Sequence, residues 1–324
     1  MITLYQLHWS HFVEKVCWAL DYKGIAWTAV DVDPFTKREM QHLPCRATLE
    51  TGQRAYIVPA IHDASTGAVV SESSVIIDYL ERSYPTTPLL FPASEQARSE
   101  VERWMRWLDS TLGLAARRLA YTQIVLEHPG LIGELFMPHL AKGGAGRLKT
   151  RLAGIVISGV LAQRFRFLHN RADRTFEQLE HCLLTVAERL NGREYLVGER
   201  FSAADLTLAA LLRPAVLVPF FRDHPRLQRL FEWRQSQLTA HRRPLQLGYE
   251  AALHEVRRRR GSALGAVRWL SAEHRDYDLA TGVPDLPKAR NDQQRIGRWP
   301  LIAGPLAYLR LKRTCGLERI DYPS

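Results

Sequence analysis

Residues 2–7 alternate apolar and polar side chains, the period of a strand with one buried face, and from Phe12 the apolar positions Phe12, Val16, Ala19 and Leu20 recur at helical spacing. Ser10 therefore falls at a strand-to-helix junction, at the N-cap or beside it. A hydroxyl there can satisfy a free backbone N–H, and the helix N-terminus favours negative charge nearby. A second strand, Ile25 to Val32, follows the turn at Lys23-Gly24. Tyr56 to Ile61 reads as a further short strand interrupted by Pro59, which cannot donate to a ladder and so predicts an edge, a bulge or a cis bond. Ala68 to Val70 supplies one more strand, and Ser73 opens a helix whose apolar face is Val75, Ile76, Tyr79 and Leu80.

Beyond this point the pattern is helical. Residues 94–127 carry Val101, Trp104, Met105, Leu108, Leu112 and Leu119 at three- and four-residue spacing, which predicts one long amphipathic helix. The proline-rich stretch from Pro85 to Pro92 before it reads as a linker. After a loop with Gly143, Gly144 and Gly146, Leu152 to Ala162 is apolar but too short to span a bilayer, and predicts a core helix. Ser202 and Asp205, flanked by Phe201 and Leu206, form a capping box with a hydrophobic staple. This is a folding element, so neither polar residue is assigned to catalysis.

Composition changes this picture little. The chain has 324 residues with 46% hydrophobic content, enough for two ordinary globular domains. Its net charge of +10 is concentrated at one end, since residues 256–324 hold 14 Lys/Arg against 7 Asp/Glu. Arg257 to Arg260 and Arg310, Lys312 and Arg313 make up much of that excess. No nucleic-acid module and no aromatic stacking pattern accompanies these runs, so a solvated or acid-paired helix face is expected, without nucleic-acid or membrane partners. Cys17, Cys45, Cys182 and Cys315 lie far apart without zinc spacing, and His8 and His11 lack further ligands, so no metal is expected. Cys17, two turns inside the first helix, reads as a buried, inert thiol. The N-terminus starts directly on strand residues without a signal-peptide pattern, which places the expected location in the cytoplasm.

Three short motifs stand in order in the first domain: Trp9-Ser10-His11-Phe12, Val58-Pro59-Ala60-Ile61 and Glu72-Ser73-Ser74. With the β-α-β, β-β-α order, they resemble the glutathione S-transferase superfamily, and the box at Ser202–Asp205 is similar to one in that family's helical domain. The resemblance implies an α/β thioredoxin-like N-terminal domain followed by an all-α C-terminal domain. It places Ser10 where the sulfur-activating Ser or Cys stands, Val58-Pro59 at the cis-proline pair that binds the tripeptide backbone, and Glu72-Ser73 at the γ-glutamyl pair. The last assignment is also sound chemistry, because Glu72 offers a carboxylate to an ammonium and Ser73 offers helix-start donors to a carboxylate.

The sequence departs from the family in two places. His11 replaces a common proline and Val13 stands where redox-active relatives carry a second cysteine, so dithiol chemistry is not available. Residues 36–54 lack the family's Asn-Pro-x-Gly-Lys run, leaving Gln53 and Arg54 as candidate donors to the glycyl carboxylate or as ordinary loop residues.

The expected organisation is a glutathione-binding domain over 1–84, a linker over 85–93, a helical domain over 94–250 forming the electrophile site, and a basic extension over 251–324. The expected activity is transfer of glutathione, as co-substrate, to a small hydrophobic electrophile in a homodimer. Ser10 would stabilise the thiolate and His11 would tune the sulfur pocket. The alternative is a non-catalytic glutathione-binding or assembly protein of the same fold.

Overall fold

A computed structural model describes residues 1–44, 47–48, 54–118, 129–137, 146–164, 172–216, 221 and 224–242. The basic extension, Cys45, Leu119, Gln53 and the Gly143-Gly144 loop lie outside the described residues.

The first domain is a four-stranded mixed sheet in the order β2-β1-β5-β6, formed by β1 (Ile2–Gln6), β2 (Trp27–Asp31), β5 (Ala60–Asp63) and β6 (Ala68–Ser71). β1 runs parallel to β2 and antiparallel to β5, and a separate hairpin of β3 (Ala47–Thr48) and β4 (Arg54–Ala55) intervenes in the chain. Helices α1 (His11–Tyr22) and α2 (Ser73–Ser83) complete the α/β layer. This is the expected thioredoxin-like order, and of the edge, bulge or cis bond expected at Pro59 it is the cis bond that occurs; the strand expected from Tyr56 starts later. The ladder begins at Ala60, so β5 is a central strand, and Pro59 stands outside it in a cis peptide with Val58. A residue without an N–H is tolerated there because no ladder bond is asked of it.

α2 also turns differently from its expected face. Ile76, Ile77 and Leu80 are buried, whereas Val75 is 46% exposed. Tyr79 is only partly buried because its hydroxyl donates to Asp63 at 2.8 Å, which keeps the ring at the edge of the core.

The helical part begins with α3 (Glu95–Leu108) and includes α4 (Pro129–Phe136), α5 (Gly146–Arg164), α6 (Ala172–Arg189), α7 (Ala203–Leu211), α8 (Arg213–Val216) and α9 (Gln228–His241). The long helix expected over 94–127 is not a regular α-helix. A π-turn at Asp109–Gly113 interrupts it before helix resumes over 114–118. Such insertions re-aim side chains and cluster at functional sites. α5 buries Ile157, Val160 and Leu161, but Leu152 lies on its exposed side. Gly133 lets α4 meet α5 closely, since a Cβ there would sit 1.9 Å from the Thr150 carbonyl oxygen. No helix among the described residues is long and apolar enough to cross a membrane.

The two parts share one core. Ile2, Leu4, Val16, Trp18, Ile76 and Leu80 of the first domain are continuous with Val101, Trp104, Leu108, Leu206 and Leu211 of the second. The box at the start of α7 anchors that junction: Asp205 accepts from the Ser202 amide (2.9 Å), the Ser202 hydroxyl (2.7 Å) and the Leu196 amide (2.7 Å), while Phe201 stacks on Trp18. Between α2 and α3 the chain is pinned by Glu81, which accepts from the amides of Leu90 and Phe91 and from Lys23 Nζ.

Candidate active site

α1 starts immediately after Ser10, and its sequence decides how it must sit. Apolar residues occur on every side of it, so ten of its twelve residues are buried. Its polar members must then find partners inside the protein.

Ser10 occupies the N-cap position with φ −78° and ψ 124°, and its carbonyl accepts the first helical bond from Glu14 N at 3.0 Å. The hydroxyl makes no capping hydrogen bond. The structure thus places Ser10 at the expected junction, at the N-cap, with its hydroxyl not used to cap the helix. Its backbone amide is bound to the Leu7 carbonyl at 2.8 Å, which fixes the residue while the side chain stays partly exposed.

The other two motifs are joined to each other. Pro59 is buried, and its carbonyl accepts from the Glu72 amide at 3.1 Å. Among the described residues the amide and carbonyl of Val58 take no protein partner, which leaves both open to water or a ligand. Glu72 has φ +78° and ψ 126°, a conformation that disfavours any residue with a Cβ and that persists only when its surroundings hold it. Its side chain is exposed, and it is followed by the buried Ser73 at the first position of α2.

His11 goes elsewhere. The ring is buried, and its Nε2–H donates to the Gly113 carbonyl at 2.9 Å, in the π-turn. Burial and, next, the Arg117 charge lower its pKa to about 3, so the ring is neutral at physiological pH. The close approach depends on Gly113, where a Cβ would sit 2.8 Å from Phe12 Cζ. A neutral imidazole engaged this way carries no positive charge to a sulfur. It serves instead to join α1 to the helical part.

That assignment predicts an acid response. His11 is depressed in the folded state, so its contribution is present above pH 6.5 and is lost as pH falls from 6.5 towards 3, where the unfolded chain takes up the proton first. Between pH 7 and pH 5 this costs about 2 kcal/mol, and His11→Gln should remove that part of the slope. Urea midpoints at the two pH values test it; equal acid losses in both proteins would contradict the assignment.

Beneath the Glu72 turn lies a group that sequence reasoning did not single out. Lys15 is fully buried and donates from Nζ to Asp109 Oδ1 (2.9 Å), Asp109 Oδ2 (2.8 Å) and Ser74 Oγ (2.8 Å). A signal existed, because a lysine in a helix that is apolar all round cannot remain solvated. Two aromatic residues, Phe35 and Phe136, also escaped notice, and so did the packing of Trp9. Trp9 meets Phe136 with ring centroids 5.2 Å apart and Phe35 meets Phe136 at 5.7 Å, so residues from the first domain and from α4 form an aromatic wall next to Ser10 in sequence.

The thiols stand apart from this chemistry. Burial pushes Cys17 up to about 12 and Cys182 likewise to about 12, so both remain protonated. Among the described residues no group of three or more His, Cys, Asp or Glu is placed to hold a metal ion.

The family comparisons agree with the fold. The family model for the glutathione S-transferase N-terminal domain matches residues 4–88, and that for the C-terminal domain matches residues 156–233. The chain belongs to the glutathione S-transferase superfamily. It is 31% identical over 196 residues to Protein LigF of Sphingobium sp. strain SYK-6, covering 57% of this chain and 67% of that one. Two solved structures share its fold. Glutathione transferase GSTFuA3 from Phanerochaete chrysosporium has a TM-score of 0.53 at 21% identity, covering 75% of this chain and 98% of its own. The beta-etherase LigF from Sphingobium has 0.50 at 22%, covering 79% and 99%.

Proposed function

We propose that the protein is a glutathione-using transferase in which Ser10 stabilises the glutathione thiolate for attack on a small apolar electrophile. The observation that carries this reading is the Val58–Pro59–Glu72 unit, whose free Val58 backbone groups and fixed Glu72 turn suit a peptide ending in an amino acid. Val58 would pair with the tripeptide backbone beside Pro59. Glu72 would meet the γ-glutamyl ammonium, and the Ser73 hydroxyl with the α2 N-terminus would meet its carboxylate. Holding the γ-glutamyl end and the backbone beside Pro59 would fix the sulfur near Ser10, so binding energy is spent on orientation. The Ser10 hydroxyl, not engaged as a cap, would donate to the sulfur and favour its ionised form.

The electrophile would lie against Trp9, Phe35 and Phe136, with Phe35 still 48% exposed. A homodimer in the cytoplasm belongs to the same reading, and a monomer by light scattering would contradict the dimer. The seam would set the first-domain edge against the long helix near residue 104, though the Trp104 indole, buried within its own chain, would not form it.

Calorimetric titration with glutathione tests the central claim. The wild type should bind saturably, and Glu72→Ala should weaken binding by about tenfold or more, the worth of one charge-assisted contact. A folded wild type that does not bind glutathione would remove the proposal. Binding without turnover against a panel of electrophiles would move it to a binding or assembly role.

A further inference from the structure

We infer that Asp33 is a positioning residue of the electrophile site: the turn it organises fixes Phe35 against Phe136, and so sets affinity for the electrophile without touching the sulfur chemistry. This rests on the transferase reading above and concerns how its apolar half is preformed.

β2 ends at Asp31, and the chain leaves the sheet through Asp33-Pro34-Phe35-Thr36. One carboxylate oxygen organises that turn. Asp33 Oδ1 accepts from the Phe35 amide at 3.0 Å, the Thr36 amide at 2.7 Å and the Thr36 hydroxyl at 2.9 Å. An aspartate bonded to the backbone two residues on mimics a backbone turn, and the ring of the intervening Pro34 fixes its own φ. The Asp33 carbonyl also accepts from the Lys37 amide at 3.1 Å, and the Asp33 amide donates to Glu39 Oε2 at 2.8 Å. Lys37 then adopts a left-handed conformation, with φ +51°, and its Nζ donates back to the Pro34 carbonyl at 2.9 Å. Val32 before the loop and Met40 after it are buried in one apolar cluster with Tyr5. Both ends are therefore anchored, and the middle is tied to Asp33. Burial alone would raise the Asp33 pKa, but the donors on Thr36 and Phe35 outweigh it and hold the carboxyl below the usual range.

What this turn presents is an aromatic ring. Phe35 is 48% exposed, whereas Phe136, which it meets, is 8% exposed and also packs on Trp9. Phe136 is thus the back of the wall, and Phe35 is the face left for a ligand. On an untethered loop a half-exposed phenylalanine samples many positions, and a ligand that packs on it loses affinity to the entropy of ordering it. The Asp33 turn removes that loss by ordering Phe35 before the ligand arrives. Its hydrogen bonds run to Phe35, Thr36, Lys37 and Glu39 and not to Val58, Glu72 or Ser73, so the effect should fall on the electrophile and spare glutathione.

Two probes on the full chain test this: anilinonaphthalene sulfonate, whose fluorescence titration needs no glutathione, and chlorodinitrobenzene as electrophile at saturating glutathione. Phe35→Ala should weaken dye binding and raise the electrophile KM by about tenfold, the worth of a good aromatic contact. Asp33→Ala should do the same by about three- to tenfold with kcat held. Asp33→Asn, whose amide oxygen can accept the same bonds, should recover most of the loss. In the double variant, Asp33→Ala with Phe35→Ala, the loss should not exceed that of Phe35→Ala alone, because Asp33 acts through that ring. Losses that multiply, no recovery with asparagine, or glutathione affinity falling in step would mean a general loosening and overturn the inference. An Asp33→Ala protein that matches the wild type with both probes would overturn it as well. Should the wild type fail to bind glutathione while the dye pattern holds, the transferase reading falls and the coupling of Asp33 to Phe35 stands for an apolar binding site.

Discussion

Ser10→Ala is expected to lower turnover at neutral pH by about ten- to a hundredfold while leaving glutathione affinity close to that of the wild type. A hydrogen bond to a charged acceptor contributes about 1.5–3 kcal/mol, equivalent to about one to two pKa units on the thiol. Losing it raises the apparent pKa of the pH–rate profile by that amount. Below the wild-type value the thiolate fraction, and so the rate, falls by the same factor. Well above the raised value both proteins hold the sulfur ionised, and the rates should converge. That convergence separates loss of thiolate stabilisation from a displaced α1, which would lower the rate at every pH. Binding should survive because Val58, Glu72 and Ser73 lie on other elements. A variant with an unshifted profile would exclude Ser10 from the mechanism and favour simple binding over catalysis.

Local patterns carried much of the fold in this sequence. Alternation over residues 2–7 followed by helical spacing from Phe12 put Ser10 at the β1–α1 junction, where the structure has it. The box at Ser202 and Asp205 was legible for the same reason, since its partners are three residues apart. What failed needed distant residues. Lys15 finds Ser74 and Asp109 at separations of 59 and 94 residues, and His11 finds Gly113 at 102. The π-turn was hidden because it inserts a single residue into a helix whose apolar spacing on either side still fits an unbroken one. That the Ser10 hydroxyl leaves the helix uncapped was not legible, because whether a hydroxyl turns inward depends on its rotamer, which no local pattern specifies. The aromatic wall was illegible for a topological reason: Trp9, Phe35 and Phe136 are brought together only when α4 folds back over the first domain.

The largest stability effect should come from Glu14, one turn into α1 from Ser10. Its carboxylate is buried and accepts from Arg213 at 2.8 Å, Arg234 at 3.1 Å and the Trp18 indole at 3.2 Å. Burial alone would raise its pKa, but the guanidinium charges of Arg213, Arg234 and Arg242 outweigh that and hold it below the usual carboxylate range. Arg234 also donates to the Ala209 carbonyl at 2.8 Å, so this group ties α1 to α7 and α9. Glu14→Gln keeps the shape and removes the carboxylate that the buried guanidiniums of Arg213 and Arg234 share. The expected loss is about 3–5 kcal/mol in urea unfolding, because stranding a buried charge costs more than the intact pair contributes. Replacing the ionic group as a unit, with Glu14→Met, Arg213→Met and Arg234→Met together, should cost less than Glu14→Gln alone. If the single variant loses under about 1 kcal/mol, water reaches the site and the group is not a desolvated lock. The consequence reaches Ser10, since the Glu14 amide is the donor to the Ser10 carbonyl, so the ion group and the candidate catalytic hydroxyl meet at the first turn of one helix.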